Sequence, residues 1–171
     1  EFDTRFKITP PLRTKVDVEL LLQGLQDGTI DCVSSDHSPH ASHEVDVTFE
    51  DAPFGSAQLE STLAAVLTRI THEGVLSPLE TMDKLSTTPA RILGLEGGTL
   101  EPGRTAIAQV CVIDPDREWT FNRHHTFSKG KNTPFHGMEM RGKVMMTFCG
   151  GEIYRAAELE ASRVTTGAIL A

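Results

Sequence analysis

The sequence predicts an α/β chain: the last part of a (β/α)8 TIM-type barrel followed by strands of a small β-sandwich domain. Three observations lead there. A helix-turn-strand unit over residues 17–33 ends on a carboxylate and two imidazoles, the kind of polar strand end that faces the active site in α/β barrels. Helical patterns fill residues 57–93. From Gly97 onward the texture changes to short alternating strands separated by glycine and proline turns. A complete barrel takes about 250 residues, so the first half can hold only its closing part. The boundary falls near Gly97, giving residues 1–97 to the barrel portion and 98–171 to the sandwich strands and tail.

Taken in order, the chain opens on Glu1 rather than Met and begins mid-pattern, as expected of a fragment or a processed chain. Lys7-Ile8-Thr9-Pro10-Pro11-Leu12-Arg13 is a stiff loop, because two consecutive prolines exclude helix. Arg13 has two open readings: it holds the loop, or it meets an anionic substrate. Asp17 is the expected N-cap of a helix with Leu21, Leu22 and Leu25 on one face, and Gly28 closes it. Ile30, Cys32 and Val33 then form the expected buried strand. The strand must stop at Ser35-Asp36-His37-Ser38-Pro39-His40, since proline cannot donate to a ladder. A long polar loop, residues 41–53, leads to Ala52-Pro53-Phe54-Gly55. Gly55 lets the backbone approach a ligand or take a positive φ.

Ser56 is the expected cap of a helix over residues 57–73, striped by Leu59, Leu63, Val66, Leu67 and Ile70. Ser77-Pro78-Leu79-Glu80 is a helix start, with a serine cap, proline at the first position and an acid in the first turn. Leu79, Met82 and Leu85 are expected to face inward. Thr88-Pro89-Ala90-Arg91 starts a short helix that Gly94 stops. Beyond the turn-rich residues 97–103, strands are expected over 107–113, 118–122, 143–149 and 152–155, with a turn at Asp114-Pro115-Asp116 and a tight Gly150-Gly151 hairpin. Trp119 and Phe121 share a face. Residues 128–136 are turn-like, and the tail from Ala156 carries no strong pattern.

Composition bounds the function. The formal charge of -8 over 171 residues, with no basic cluster, argues against a nucleic-acid surface. Cys32, Cys111 and Cys149 are far apart and odd in number, so neither a disulfide framework nor a zinc finger is expected. They read as buried thiols in a reducing, cytoplasmic setting. No apolar run reaches membrane-spanning length.

The quoted motifs, together with Asp27-Gly28-Thr29-Ile30-Asp31 and Asn132-Thr133-Pro134-Phe135, resemble those of the dihydroorotases, members of the amidohydrolase superfamily of metal-dependent barrel hydrolases. The match runs in family order over nearly the whole chain. It implies reversible conversion of N-carbamoyl-L-aspartate to dihydroorotate in pyrimidine biosynthesis, with one or two zinc ions at the barrel mouth. Asp36 matches the aspartate that ligates metal and transfers the proton. His40 matches a substrate-binding histidine, and Phe54 and Gly55 match loop positions whose backbone touches the substrate ring. The remaining zinc ligands of the family are expected upstream of this segment.

Two departures stand out. Thr9 replaces a substrate-binding asparagine, offering one hydroxyl where an amide has both donor and acceptor. Gln109 replaces a common aspartate. An allantoinase or hydantoinase is the alternative, towards which Ser35-Asp36-His37-Ser38-Pro39 and Thr9 lean. A third reading is an inactive homologue supporting aspartate carbamoyltransferase; that enzyme or a second copy of the chain is the macromolecular partner the resemblance implies. Among other groups, His37 is read as packing or hydrogen-bonding rather than ligating. His43, His72, His124, His125 and His136 are read as surface or structural, with His124-His125 able to take adventitious metal. Met138, Met140, Met145 and Met146 are read as filler.

Overall fold

The computed structural model describes residues 2–97, 100 and 110–156. The expected strand residues 107–109, including Gln109, most of the turn-rich stretch 98–103 and the tail beyond Ala156 lie outside the described residues. The architecture is α/β: among the described residues, helices in the first half and a three-stranded antiparallel sheet in the second, its strands adjacent in chain order.

Helix α1 spans Lys15–Asp27. Its cap is Thr14 rather than Asp17. Asp17 occupies the third helical position and completes a capping box, its carboxylate accepting from the Thr14 N–H at 3.0 Å. Both residues compete for the cap, and the reciprocal pair satisfies two backbone donors where a single cap satisfies one. Gly28 ends the helix in the left-handed conformation, φ +84°.

The segment after Gly28 is not a strand. A strand is defined by its neighbour, and among the described residues none pairs with 30–36. The segment is held to the helices instead: the Val33 N–H donates to the Lys84 carbonyl at 3.0 Å, and Lys84 Nζ donates to the Ile30 carbonyl.

After a short turn α2, Ser42–Val45, the next helix starts later than its apolar stripe suggests. Helix α3 spans Thr62–Val66 and continues as a π-helical turn, Leu67–Thr71. The N–H groups that would open an earlier helix are already engaged. Ala57 donates to the Asn132 carbonyl at 2.9 Å, and Gln58 and Leu59 donate to His37 Nδ1 at 3.1 and 3.2 Å. Ser56 is therefore no cap; it is fully buried and its Oγ has no partner among the described residues.

Helix α4, Pro78–Met82, begins on the expected Ser77–Glu80 capping box. A π turn, Asp83–Thr87, joins it to α5, Thr88–Leu93, which Gly94 ends. Leu79 is 81% exposed rather than inward, because it sits at the open lip of a groove that Leu25, Leu76 and Met82 also line.

The two strands expected on either side of Asp114-Pro115-Asp116 are one strand, β1, Val110–Thr120. Its register against β2, Glu139–Cys149, shifts between Asp114 and Glu118, so the proline turn became a bulge in a continuous ladder. Strand β3, Glu152–Arg155, closes the Gly150-Gly151 hairpin as expected. Cys111 and Cys149 are exposed and Cys32 half-buried; Cys149 ends β2 at the glycine hairpin and Cys111 lies opposite Thr147 near that same end of the ladder, away from the residues packed under the sheet.

Helix α3 and its π turn form the spine. Leu25, Val66, Ile70 and Leu76 make one core, with Leu22, Ile30, Val33 and Leu85 against it. Ala64, Phe121 and Met140 make the other, flanked by Trp119 and Phe135. Leu67 is 1% exposed and lies under Gly142, where a Cβ would stand 2.3 Å from its Cδ1. Burial of each such aliphatic side chain is worth about 1.5–3 kcal/mol. Met138 is exposed; Met140 alone of the named methionines is fully buried.

Candidate active site

Four stretches far apart in sequence converge on one place: residues 7–9, 36–40, 54–57 and 130–132. The 36–40 loop is pinned by its own backbone. The Ser38 N–H donates to the Ser56 carbonyl at 2.9 Å, and Ser38 Oγ donates to Asp36 Oδ1 at 2.9 Å, turning the exposed carboxylate towards its own loop. His37 faces the other way. Its Nδ1 receives two backbone N–H groups, so the ring proton sits on Nε2, and the imidazole serves as an acceptor at the start of the α3 turn.

His40 meets the second loop. Its Nε2 donates to the Phe54 carbonyl at 3.0 Å, and Glu44 Oε2 stands 3.9 Å from Nδ1. Gly55 has φ +135° and passes so close that a Cβ there would lie 2.4 Å from Ser38 Cβ and 3.1 Å from His40 Nε2. No residue but glycine fits either constraint. The structure therefore brings His40, Phe54 and Gly55 together, and joins them to Asp36 through Ser38. Thr9 is exposed and stands two residues beyond Lys7, whose carbonyl accepts the Gly55 N–H at 2.9 Å. Arg13 stands 3.5 Å from Asp17 Oδ2, beside the capping box of α1. This favours its loop-holding reading, at the small energy of an exposed pair.

A family model described as the amidohydrolase family matches residues 9–154, most of the chain and all four stretches but Lys7 and Ile8. The chain belongs to the amidohydrolase family. Among curated relatives, the dihydroorotase of Pelotomaculum thermopropionicum is 43% identical over 152 residues, covering 89% of this chain and 35% of that protein. The dihydroorotase of Geobacter metallireducens is also 43% identical, with the same coverage. The chain thus spans about a third of the length of these relatives. Among solved structures, the L-hydantoinase of Arthrobacter aurescens aligns with a TM-score of 0.80 at 27% identity, over 89% of this chain and 34% of that one. A D-hydantoinase from Thermus sp. aligns at 0.78 and 26%, over 88% of this chain and 33% of that one.

Asp36 is one carboxylate, and among the described residues no group of three His, Cys, Asp or Glu side chains could hold an ion. Zinc takes three or four protein ligands. These residues alone do not fit the group. Two surface grooves are not lined by Asp36 or His40: one runs between the end of α1 and α4, the other along Cys32, Val33, Leu85 and Leu93.

Two residues that the sequence left unassigned hold the amidohydrolase loops. Lys7 is buried without a carboxylate. Its ammonium donates to the Phe49 and Glu50 carbonyls at 2.7 and 2.9 Å and lies 4.9 Å from the Phe54 ring centroid. Asn132 is 2% exposed and bonds the 36–40 and 54–57 loops together. The signal for each was its place in a quoted motif, Lys7 at the head of the proline loop and Asn132 at the head of Asn132-Thr133-Pro134-Phe135.

Electrostatics elsewhere are local. The Arg5 guanidinium bonds Asp3 and holds its carboxyl below the ordinary range. His136 packs edge-on against His124, centroids 5.4 Å apart. Desolvation, then Arg123, His124 and Arg5, push its imidazole below the usual value.

Proposed function

We propose that this chain is the carboxyl-terminal portion of a dihydroorotase. In this reading residues 1–97 close a (β/α)8 barrel and 98–171 supply strands of a small β-sandwich. The intact enzyme interconverts dihydroorotate and N-carbamoyl-L-aspartate in pyrimidine biosynthesis. The observation that carries the reading is the identity of 43% to curated dihydroorotases across 89% of the chain, over the very loops that converge in space.

The chemistry is opening of a cyclic amide. Water adds to the ring carbonyl, the C–N bond breaks, and the proton released by water reaches the departing nitrogen. Asp36 is the group that takes and returns that proton, from an exposed loop position where Ser38 Oγ fixes one oxygen. Zinc, completed by ligands from outside these residues with Asp36 as one of the set, would supply a bound water acidic near pH 7. His40 binds the substrate beside the Phe54 carbonyl that its Nε2 holds, with Glu44 Oε2 3.9 Å from its Nδ1. Phe54 and Gly55 offer backbone to the same ring, and Thr9 offers a hydroxyl beside it.

A second reading, a hydantoinase, is favoured by the fold alignments with two hydantoinases. Steady-state turnover of the intact protein with dihydroorotate, hydantoin and allantoin separates the readings. We expect kcat/KM for dihydroorotate to exceed the others by at least ten-fold; the reverse order would overturn the dihydroorotase assignment.

A further inference from the structure

We infer that Asn132 is the positioning residue of the site: one buried amide that locks the loop carrying Asp36 and His40 to the loop carrying Phe54 and Gly55. The inference rests on the site proposed above, and its mechanical half can be read without any turnover.

Asn132 lies in the connection between β1 and β2, outside both loops in sequence. Its Oδ1 accepts the His40 N–H at 2.8 Å. Its Nδ2 donates to the Ser38 carbonyl at 3.0 Å and to the Gly55 carbonyl at 3.1 Å. Its own carbonyl takes the Ala57 N–H at 2.9 Å. One residue thus satisfies four backbone groups drawn from two loops, and its side chain uses both amide N–H groups and one of the two Oδ1 lone pairs to do so. The neighbouring residue, Thr133, is equally buried, but among the described residues its side chain bonds the Phe135 N–H alone, within its own turn.

Close packing makes the lock exclusive. A Cβ on Gly130 would stand 2.5 Å from Pro39 Cβ and 2.8 Å from the His40 nitrogen, so the 130–132 backbone lies directly on the 36–40 loop. Phe135, three residues on, packs beside Phe121 and Met140. The sheet core therefore holds Asn132, and Asn132 holds the site. This gives the sheet half of the chain a task in substrate binding although it contributes no candidate catalytic residue.

The test compares Asn132→Ala with Thr133→Ala in the intact protein, by two measurements. Hydrogen exchange followed by mass spectrometry should show peptides covering 36–40 and 53–57 exchanging at least ten-fold faster in Asn132→Ala, and unchanged in Thr133→Ala. Steady-state kinetics, on whichever cyclic amide the wild type turns over, should show kcat/KM lowered at least ten-fold with KM raised for Asn132→Ala, and both constants near wild type for Thr133→Ala. Equal exchange in the two variants would overturn the lock. Faster exchange with an unchanged KM would overturn its role in substrate binding. A wild type that turns over none of the cyclic amides would count against the proposed function, while the exchange comparison would still decide the lock.

Discussion

Replacing Gly55 with alanine strikes the point where the two loops touch. At φ +135° an L side chain costs about 1–3 kcal/mol in backbone strain. The added Cβ would stand 2.4 Å from Ser38 Cβ, roughly 1 Å inside the ~3.5 Å at which carbons rest against each other. Overpacking of that kind costs about 1–3 kcal/mol more. The loops must part, because the obstructing atom is a Cβ fixed to backbone rather than the end of a flexible chain. A displacement near 1 Å at a catalytic constellation can cost about 10²-fold in rate. We therefore expect Gly55→Ala to lower kcat/KM for dihydroorotate by about 10²-fold in the intact enzyme, with a clear fall in thermal midpoint. Gly28→Ala is the control: φ is +84° but nothing lies within 4 Å of its Cβ, so stability should fall by about 1–2 kcal/mol with kcat/KM unchanged. If Gly55→Ala kept kcat/KM within three-fold of wild type, the close approach of these loops would have no bearing on the chemistry.

Three other outcomes are expected. Leu67→Ala, at the junction of the two cores, should cost about 2–5 kcal/mol in denaturant unfolding; a loss below 1 kcal/mol would mean that the spine is not where the halves join. Glu80 is held below its ordinary pKa of 4.5 by the Ser77 side-chain and then backbone hydrogen bonds. Its contribution is therefore complete above about pH 4.5 and lost as pH falls through the lower folded value. Glu80→Gln should flatten the acid limb of the stability profile below that pH, and an unchanged limb would remove the capping box from the explanation. Thr9→Asn should lower KM for dihydroorotate by restoring an amide beside the ring; an equal or higher KM would show the hydroxyl to be no handicap.

What the sequence revealed was mostly local chemistry. The Ser77–Glu80 box, the Gly28 and Gly94 stops and the Gly150-Gly151 hairpin depend on neighbours within a few residues, and all stand where the pattern put them. What depended on partners did not. Residues 30–33 have a strand's composition, yet no strand forms without an adjacent one to bond. The stripe from Leu59 promised a longer α3, but His37 and Asn132 had already taken the N–H groups that would have opened it. Asp114-Pro115-Asp116 reads as a turn, and the ladder on either side carried it into a bulge instead. The site shows the same division. Asp36, His40, Phe54 and Gly55 are candidates named from motifs, whereas the groups holding their loops act across separations of 42 to 94 residues. Lys7 grips Phe49 and Glu50, and Asn132 grips Ser38 and Gly55. No periodicity or spacing encodes such a reach.

The carboxylate of Asp36 is the group on which the hydrolytic reading turns. Asp36→Ala, made in the intact protein and assayed with dihydroorotate beside a thermal unfolding curve, is its most direct test. The expected result is turnover reduced to background while the unfolding midpoint stays within a degree or two of wild type, since the side chain is exposed and, among the described residues, bonds within its own loop. A folded variant that hydrolyses dihydroorotate at a rate near wild type would place the proton transfer elsewhere.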